Sequence, residues 1–354
     1  MAKDSMTPRE RWQAVLSRRA PDRVPMDYWG TPEATEKLLR HVGAPDQEAL
    51  FRTLHVDRPV AIELPYVGPP FLSDEDEYGC RFRDMSYGTG SYRECIFHPL
   101  ASFTSVEEIQ RSYTWPTADW YDVSAARALV AGKDDRPVRG GGSEPFLIYK
   151  QLRGEEQAFM DLVENPGIVH YCLDQLFDLA LETSRRIFET IPGRVLFSYV
   201  AEDMGSQDDL MLSPQQIRTF LLPRMKKVID LVHQAGAYAF HHNDGACWRI
   251  IPEMIDAGID ILNPIQWRCR GMEREGLKQK FGDRLVFHGA MDNQKTLPFG
   301  TVDDVRREVA DNLRILGAGG GYILAPCHNV QAVSPAENIV AMYEEGFALG
   351  RQTV

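Results

Sequence analysis

The sequence predicts an α/β protein built as a single (β/α)8 barrel with an inserted β-hairpin. Short apolar runs begin near residues 24, 58, 137, 195, 237, 259, 284 and 321. From the fourth on, one helical segment separates each run from the next, an alternation that implies parallel pairing. Polar residues also gather at the C-terminal end of run after run, where a closed barrel carries its chemistry. A doubly wound sheet would usually show a glycine fingerprint after its first strand. Met26-Asp27-Tyr28-Trp29-Gly30 is no match for one. With 354 residues and 44% hydrophobic content, the chain can bury a sizeable core, and no repeat or Ser/Gly linker divides 1–354.

The formal charge of −12 disfavours a nucleic-acid surface. No apolar run approaches the roughly 18 residues needed to span a bilayer. The opening MAKDSMTPRERW has no apolar core of a secretory signal. Six scattered cysteines with no CxxC pair suggest a reduced, cytoplasmic protein.

The elements follow in order. Thr7 and Pro8 suit the cap and first turn of a helix running to Arg18. A strand near Val24 to Asp27 leads to a helix over Glu33 to Val42. A second strand covers Arg58 to Leu64. Residues 79–99 alternate as GCRFRDM and GSYRECIF do, which reads as an inserted hairpin. Pro137 to Gly140 enters a turn at Gly140 to Gly142, followed by Ser143, Glu144 and Pro145. Pro166 to Glu189 is a long helix, and RVLFSYVAEDMGSQ a strand. Ser213-Pro214 opens a helix of about six turns that stops at Gly236. GAYAFHHNDG, GIDILNPIQW, RLVFHGAMDNQ and GGGYILAPCHNVQ are the last four strands. Thr301 caps the helix before the last of them, and Ser334-Pro335-Ala336-Glu337 reads as a capping box for the final helix.

The strand ends form the candidate site. Asp27, Glu63, Glu202, Asp203, His241, His242 and Asp244 belong to the earlier strands. Asn263, Gln266, His288, Asp292, Cys327, His328 and Asn329 belong to the later ones. Any one of these can simply hydrogen-bond backbone at a loop mouth, but the recurrence favours a shared site. His242, Asp244 and Cys327 offer imidazole, carboxylate and thiolate, a donor set that binds zinc with an open fourth position. The bland alternative is a His–Asp pair with Cys327 as a small apolar filler. Gly140 to Gly142 and Gly317 to Gly321 can cradle a phosphate, but read better as tight turns.

From about Arg9 to Glu345 the chain resembles the uroporphyrinogen decarboxylase superfamily, which includes zinc methyltransferases that act with corrinoid proteins. The matching stretches are PRERWQAVLSRRAPDRVP, AEDMGSQDDLMLSPQQIRTFLLPRMKKVID, HNDGACWRIIPEMIDAGIDILNPIQ, GDRLVFHGAMDNQKTLPFGTVDDV and GGGYILAPCHNVQAVSPAENIVAMYE. The resemblance implies a (β/α)8 barrel. The decarboxylases carry an Arg-rich MRQAGR-type signature after the first strand, where this chain reads MDYWGTPEAT without arginine. The methyltransferases place a His-x-Cys pair on the fifth strand and a cysteine near the eighth. Here Asp244 stands in the place of the first cysteine, and Cys327 is kept. No DxHxxG corrinoid motif occurs.

The resemblance therefore implies a zinc-assisted methyltransferase moving a methyl group between a small molecule and cobalamin carried on a separate corrinoid protein. In that role His242 and Cys327 bind zinc, with Asp244 or Glu202 as a third ligand. Glu202, Asp203, His242 and Asp292 are the catalytic candidates. Gln207, Asn263, Gln266 and Asn329 are the cofactor-binding candidates. A small methylated substrate, a corrinoid protein and a second copy in a homodimer are the expected partners. Nucleic acid and membrane are not. The alternatives are a cofactor-independent decarboxylase using Glu202 or Asp203, and a non-catalytic tetrapyrrole-binding protein.

Overall fold

Strands that are apolar on both faces need cover on both faces, and a parallel sheet wrapped by helices supplies it. A computed structural model describes residues 4–88 and 90–352. Its strands are β1 (Val60–Ala61), β2 (Arg81–Ser86), β3 (Ser91–Phe97), β4 (Val138–Ser143) and β5 (Phe197–Val200). They continue as β6 (Tyr238–His242), β7 (Ile261–Asn263), β8 (Val286–Met291) and β9 (Tyr322–Pro326). Seven of them form one curled parallel sheet in the order β1-β4-β5-β6-β7-β8-β9. Every residue of β7, β8 and β9 is buried.

The first expected stave, residues 24–27, is reduced to one parallel bridge, Met26 with Leu324. Leu324 N–H donates to Pro25 O and Asp27 N–H to Leu324 O, each at 2.9 Å. On the other side Asp57 N–H reaches Met26 O at 2.7 Å. Pro25 has no N–H to give a ladder, which keeps this stave short. The second stave is likewise trimmed to two residues behind Pro59. The inserted hairpin is present as the antiparallel pair β2–β3. At its tip the Tyr87 hydroxyl donates to Gln331 Oε1, in the loop after β9.

The helix Pro8–Leu16 closes the N-terminal end of the barrel. Its Thr7–Glu10 capping box forms as expected. Trp12 enters the barrel and stacks on Phe197 with centroids 5.0 Å apart. Trp12, Val15 and Leu16 join Phe197, Phe240, Ile261, Val286 and Ile323 in an inner core distinct from the larger one under the helices. Beside this plug Asp57 accepts from both Arg11 and Arg23, and all three side chains are at most 2% exposed.

Local expectations differ at three places. β4 runs through Gly140 to Gly142 rather than ending before them. Gly142 has φ +85°, and a Cβ there would lie 1.8 Å from Tyr199 O, so only glycine lets β4 approach β5 this closely. The helix opened by Ser213 carries a π turn at Ile217–Leu221 before continuing as Leu222–Gln234. Pro223 offers no N–H to the preceding turn, and the wider turn accommodates it. The final helix begins at Ala336 with Pro335 as its cap and no side-chain bond, so the capping box expected at Ser334 does not form. Ser334 is instead buried at 1% exposure.

Candidate active site at the barrel mouth

Each site residue sits where a strand gives way to a loop, because the sheet's hydrogen bonding runs on beyond the strands. Glu202 N–H donates to His242 O at 3.0 Å, Asn243 N–H to Asn263 O at 2.8 Å, and Ile265 N–H to His288 O at 3.1 Å. These bonds fix neighbouring strand ends side by side.

His242 is the centre. Its Nε2 lies 3.5 Å from Asp203 Oδ1 and 3.9 Å from Asp244 Oδ1. Its Nδ1 is 2.6 Å from Asn263 Oδ1. Ligand atoms from Glu144, Asp203 and His242 all lie within 4.8 Å of one another, and no other such trio occurs among the described residues. Asp203 is positioned by Asp244 N–H at 2.9 Å. Asp244 accepts from Gln266 Nε2 at 3.0 Å, and Gln266 Oε1 in turn accepts from Gly245 N–H at 2.6 Å.

Burial first, then the charges of Asp203 and Asp244, push the Glu144 carboxyl above its ordinary range, while His242 opposes. Burial likewise raises Asp244, with Asp203 adding and His242 opposing. Among the described residues no lysine or arginine forms an ion pair with Glu144, Asp203 or Asp244. Three crowded carboxyl groups, with His242 among them and His328 Nε2 3.8 Å from Asp244, fit a divalent metal ion.

The other expected residues are distributed around this centre. Glu202 is fully buried, and both its oxygens face Phe146 N–H, at 3.0 and 3.1 Å. Burial holds its carboxyl well above the carboxylate range. Asp292 is tied to Arg268 and Thr296, and shares a small cavity with Cys327 and Gln266. Cys327 is 3% exposed, and its thiol donates to Ile265 O at 3.2 Å. Burial raises that thiol well above its ordinary range. Gln207 lines a separate hollow with Asp244, Gln266 and His328. Asn329 lines the large cleft instead.

That cleft, of about 1050 Å³, opens between the first stave and β1. Trp29, Tyr199 and Phe240 form an aromatic wall along it, and His242 packs against Trp29 and Tyr199 at 5.8 and 5.5 Å. Arg139 lies over the Tyr199 ring at 5.5 Å. Glu144 and this wall were not picked out from sequence. An acidic residue directly between a strand and a Pro-started helix is the signal that marks Glu144.

His241, next to the centre, faces away from it. Its Nδ1–H donates to Val200 O at 2.8 Å. Burial pushes its pKa down from 6.5 to about 4. A depressed histidine costs nothing above the unfolded value, where both states are neutral. Below it the unfolded chain binds the proton more readily, so stability falls between about pH 6.5 and 4. The loss should reach about 2 kcal/mol at pH 5. His241→Gln should flatten this part of the acid limb in urea titrations at pH 7 and pH 5. An unchanged limb would show that His241 is not its source.

Residues 89–346 match the family described as Uroporphyrinogen decarboxylase (URO-D). Two curated relatives are the uroporphyrinogen decarboxylases of Psychromonas ingrahamii and a Synechocystis species. The first is 25% identical over 57% of this chain and 51% of its own length. The second is 25% identical over 58% and 53%. The chain thus spans about half the length of these relatives. A solved methyltransferase from Methanosarcina mazei has a similar fold, with TM-score 0.67 and 20% identity over 98% of this chain and 99% of that one. Among the described residues no helix is long and apolar enough to cross a membrane.

Proposed function

The chain belongs to the uroporphyrinogen decarboxylase family, and from that premise we propose a zinc-assisted methyltransferase that moves a methyl group between a small molecule and cobalamin on a partner protein. The carrying observation is the Glu144–Asp203–His242 cluster, three converging ligand atoms whose imidazole packs on Trp29 and Tyr199 of the cleft wall. Bound there, zinc would supply Lewis acidity, stabilising charge on the heteroatom that gives or takes the methyl group. The chain's own residues do the rest. Asn263 holds the His242 ring, and Gln266 and the Asp244 backbone hold the two acidic loops. Trp29, Tyr199 and Phe240 exclude water from one side of the cleft and offer ring faces to an apolar substrate body. The stretch MDYWGTPEAT puts an indole, not an arginine, beside the site, while Arg58, Lys133, Arg136 and Arg139 line the cleft from other elements.

A carboxy-lyase is the second reading, favoured by one observation. Glu202, just past the end of β5 beside Asp203, has a carboxyl that burial pushes well above its ordinary range, which suits a general acid.

The test is elemental analysis joined to a methylcobalamin assay. Zinc should co-purify, and methyl transfer from free methylcobalamin to an added thiol or alcohol, leaving cob(I)alamin and releasing the acceptor's proton, should stop on chelation and return with zinc. Full activity after exhaustive chelation would overturn the reading. Release of carbon dioxide from a tetrapyrrole would move the lyase ahead. Cys327→Ala should leave the zinc content unchanged, because its thiol is buried and bonded to Ile265 O. Loss of zinc in that variant would instead support His242, Asp244 and Cys327 as the ligand set.

A further inference from the structure

Behind His242 a buried line of side chains crosses the barrel. His242 Nδ1 meets Asn263 Oδ1 at 2.6 Å, and Asn263 Nδ2 meets His288 Nδ1 at 2.7 Å. His288 Nε2 meets Asp27 Oδ2 at 3.2 Å. The four residues are between 0% and 5% exposed. Asp27 also accepts from Trp29 Nε1 at 2.9 Å and from Tyr28 N–H at 2.8 Å. We propose that Asp27 fixes the tautomer of His242 through His288 and Asn263, so that the neutral His242 ring turns its Nε2 lone pair towards Glu144 and Asp203.

The argument rests on counting donors and acceptors. An ionised Asp27 only accepts, so His288 must offer it Nε2–H. A neutral His288 then has a bare Nδ1, which can only accept, so Asn263 must aim its NH2 there. The amide oxygen is left for His242, whose Nδ1 must carry the proton. In the neutral ring Nε2 is then bare, the form that binds a metal ion or takes a proton. Each step has one solution, and the anion at the far end chooses it. His288 lies among Trp12, Trp29 and Phe240, with centroids at 5.9, 5.6 and 5.1 Å. These rings offer no competing acceptor for its protons. Asp27 is thus a positioning residue acting from the first stave on a strand end across the barrel.

The line predicts opposite tautomers for its two histidines. Nitrogen-15 NMR of metal-free, histidine-labelled protein at neutral pH reads both directly. His242 should carry its proton on Nδ1 and His288 on Nε2, with signals assigned by their loss in His242→Gln and His288→Gln. Asp27→Asn should let His242 populate both tautomers, since an amide can donate or accept. Adding Asn263→Asp to that variant should restore the Nδ1–H form, because a carboxylate then faces His242 directly. A merely structural Asp27 would leave the His242 tautomer unmoved in Asp27→Asn. Zinc affinity of Asp27→Asn should fall roughly tenfold or more, in the range of lost outer-shell partners. A wild-type His242 protonated on Nε2, or a doubly protonated His288, would overturn the proposal. So would an Asp27→Asn variant that keeps His242 wholly in the Nδ1–H form. The tautomers are read without metal, so their outcome stands apart from the zinc reading.

Discussion

His242→Ala is expected to strip the protein of zinc and to lower methyl transfer by at least about 100-fold. Loss of an outer-shell partner alone costs ~10–100-fold in metal affinity or activity, and a direct ligand should cost no less. The fold should survive. His242 is the last residue of β6, and its ring packs on Trp29 and Tyr199 near the cleft rather than in the inner core. Glu144 and Asp203 would remain as two carboxyls without the imidazole that offsets their repulsion. Residual metal in the variant should therefore be loosely held and removed by gel filtration. Zinc content, circular dichroism and the methylcobalamin assay on the same preparation decide the matter. Native-like zinc with normal turnover would remove His242 from the centre.

Asp57→Ala should produce the largest loss of stability, about 3–5 kcal/mol. That is the usual cost of leaving buried charges without their partner. Asp57 receives two bonds from Arg23, at 2.8 and 3.0 Å, one from Arg11, and one from Met26 N–H at 3.0 Å. The substitution leaves two buried guanidinium groups facing each other and frees the backbone of the first stave. Arg11 keeps Asp22, so the damage should fall mainly on Arg23 and Met26. Urea unfolding with an unchanged slope and a lower midpoint is the expected result. A shift worth less than about 1 kcal/mol would show that water or Asp4 takes over the charge.

Most of the barrel could be read from the chain because its later strands are apolar, short and regularly spaced by helices. β6 to β9 appear close to where their sequences put them. The early staves were harder. Pro25 and Pro59 cut them so short that one survives as a bridge and the other as two residues. His242 and Asp203 were visible as polar residues ending apolar strands. Glu144 was not, because it follows VRGGGS, a strand with almost no apolar signal. Its place depends on glycines that let two backbones touch, a tertiary fact with no periodicity to announce it. Asn263 was singled out for cofactor binding, yet it stands between two histidines. Strand order alone does not say which of two facing side chains will supply the proton.

The seam of the barrel sets an order of events. β5 through β9 each pair with the strand made just before, through helical connections, while β4 reaches back past the hairpin to β1. Met26 pairs with Leu324, across nearly the whole chain. Contacts this remote are slow to form, since the loop between them must close first. Until they form, β9 presents a bare backbone edge that can recruit a strand from another molecule. In the time course of synthesis, the stave made first is therefore the last to find its neighbour. Its docking turns an open, adhesive sheet into a closed ring.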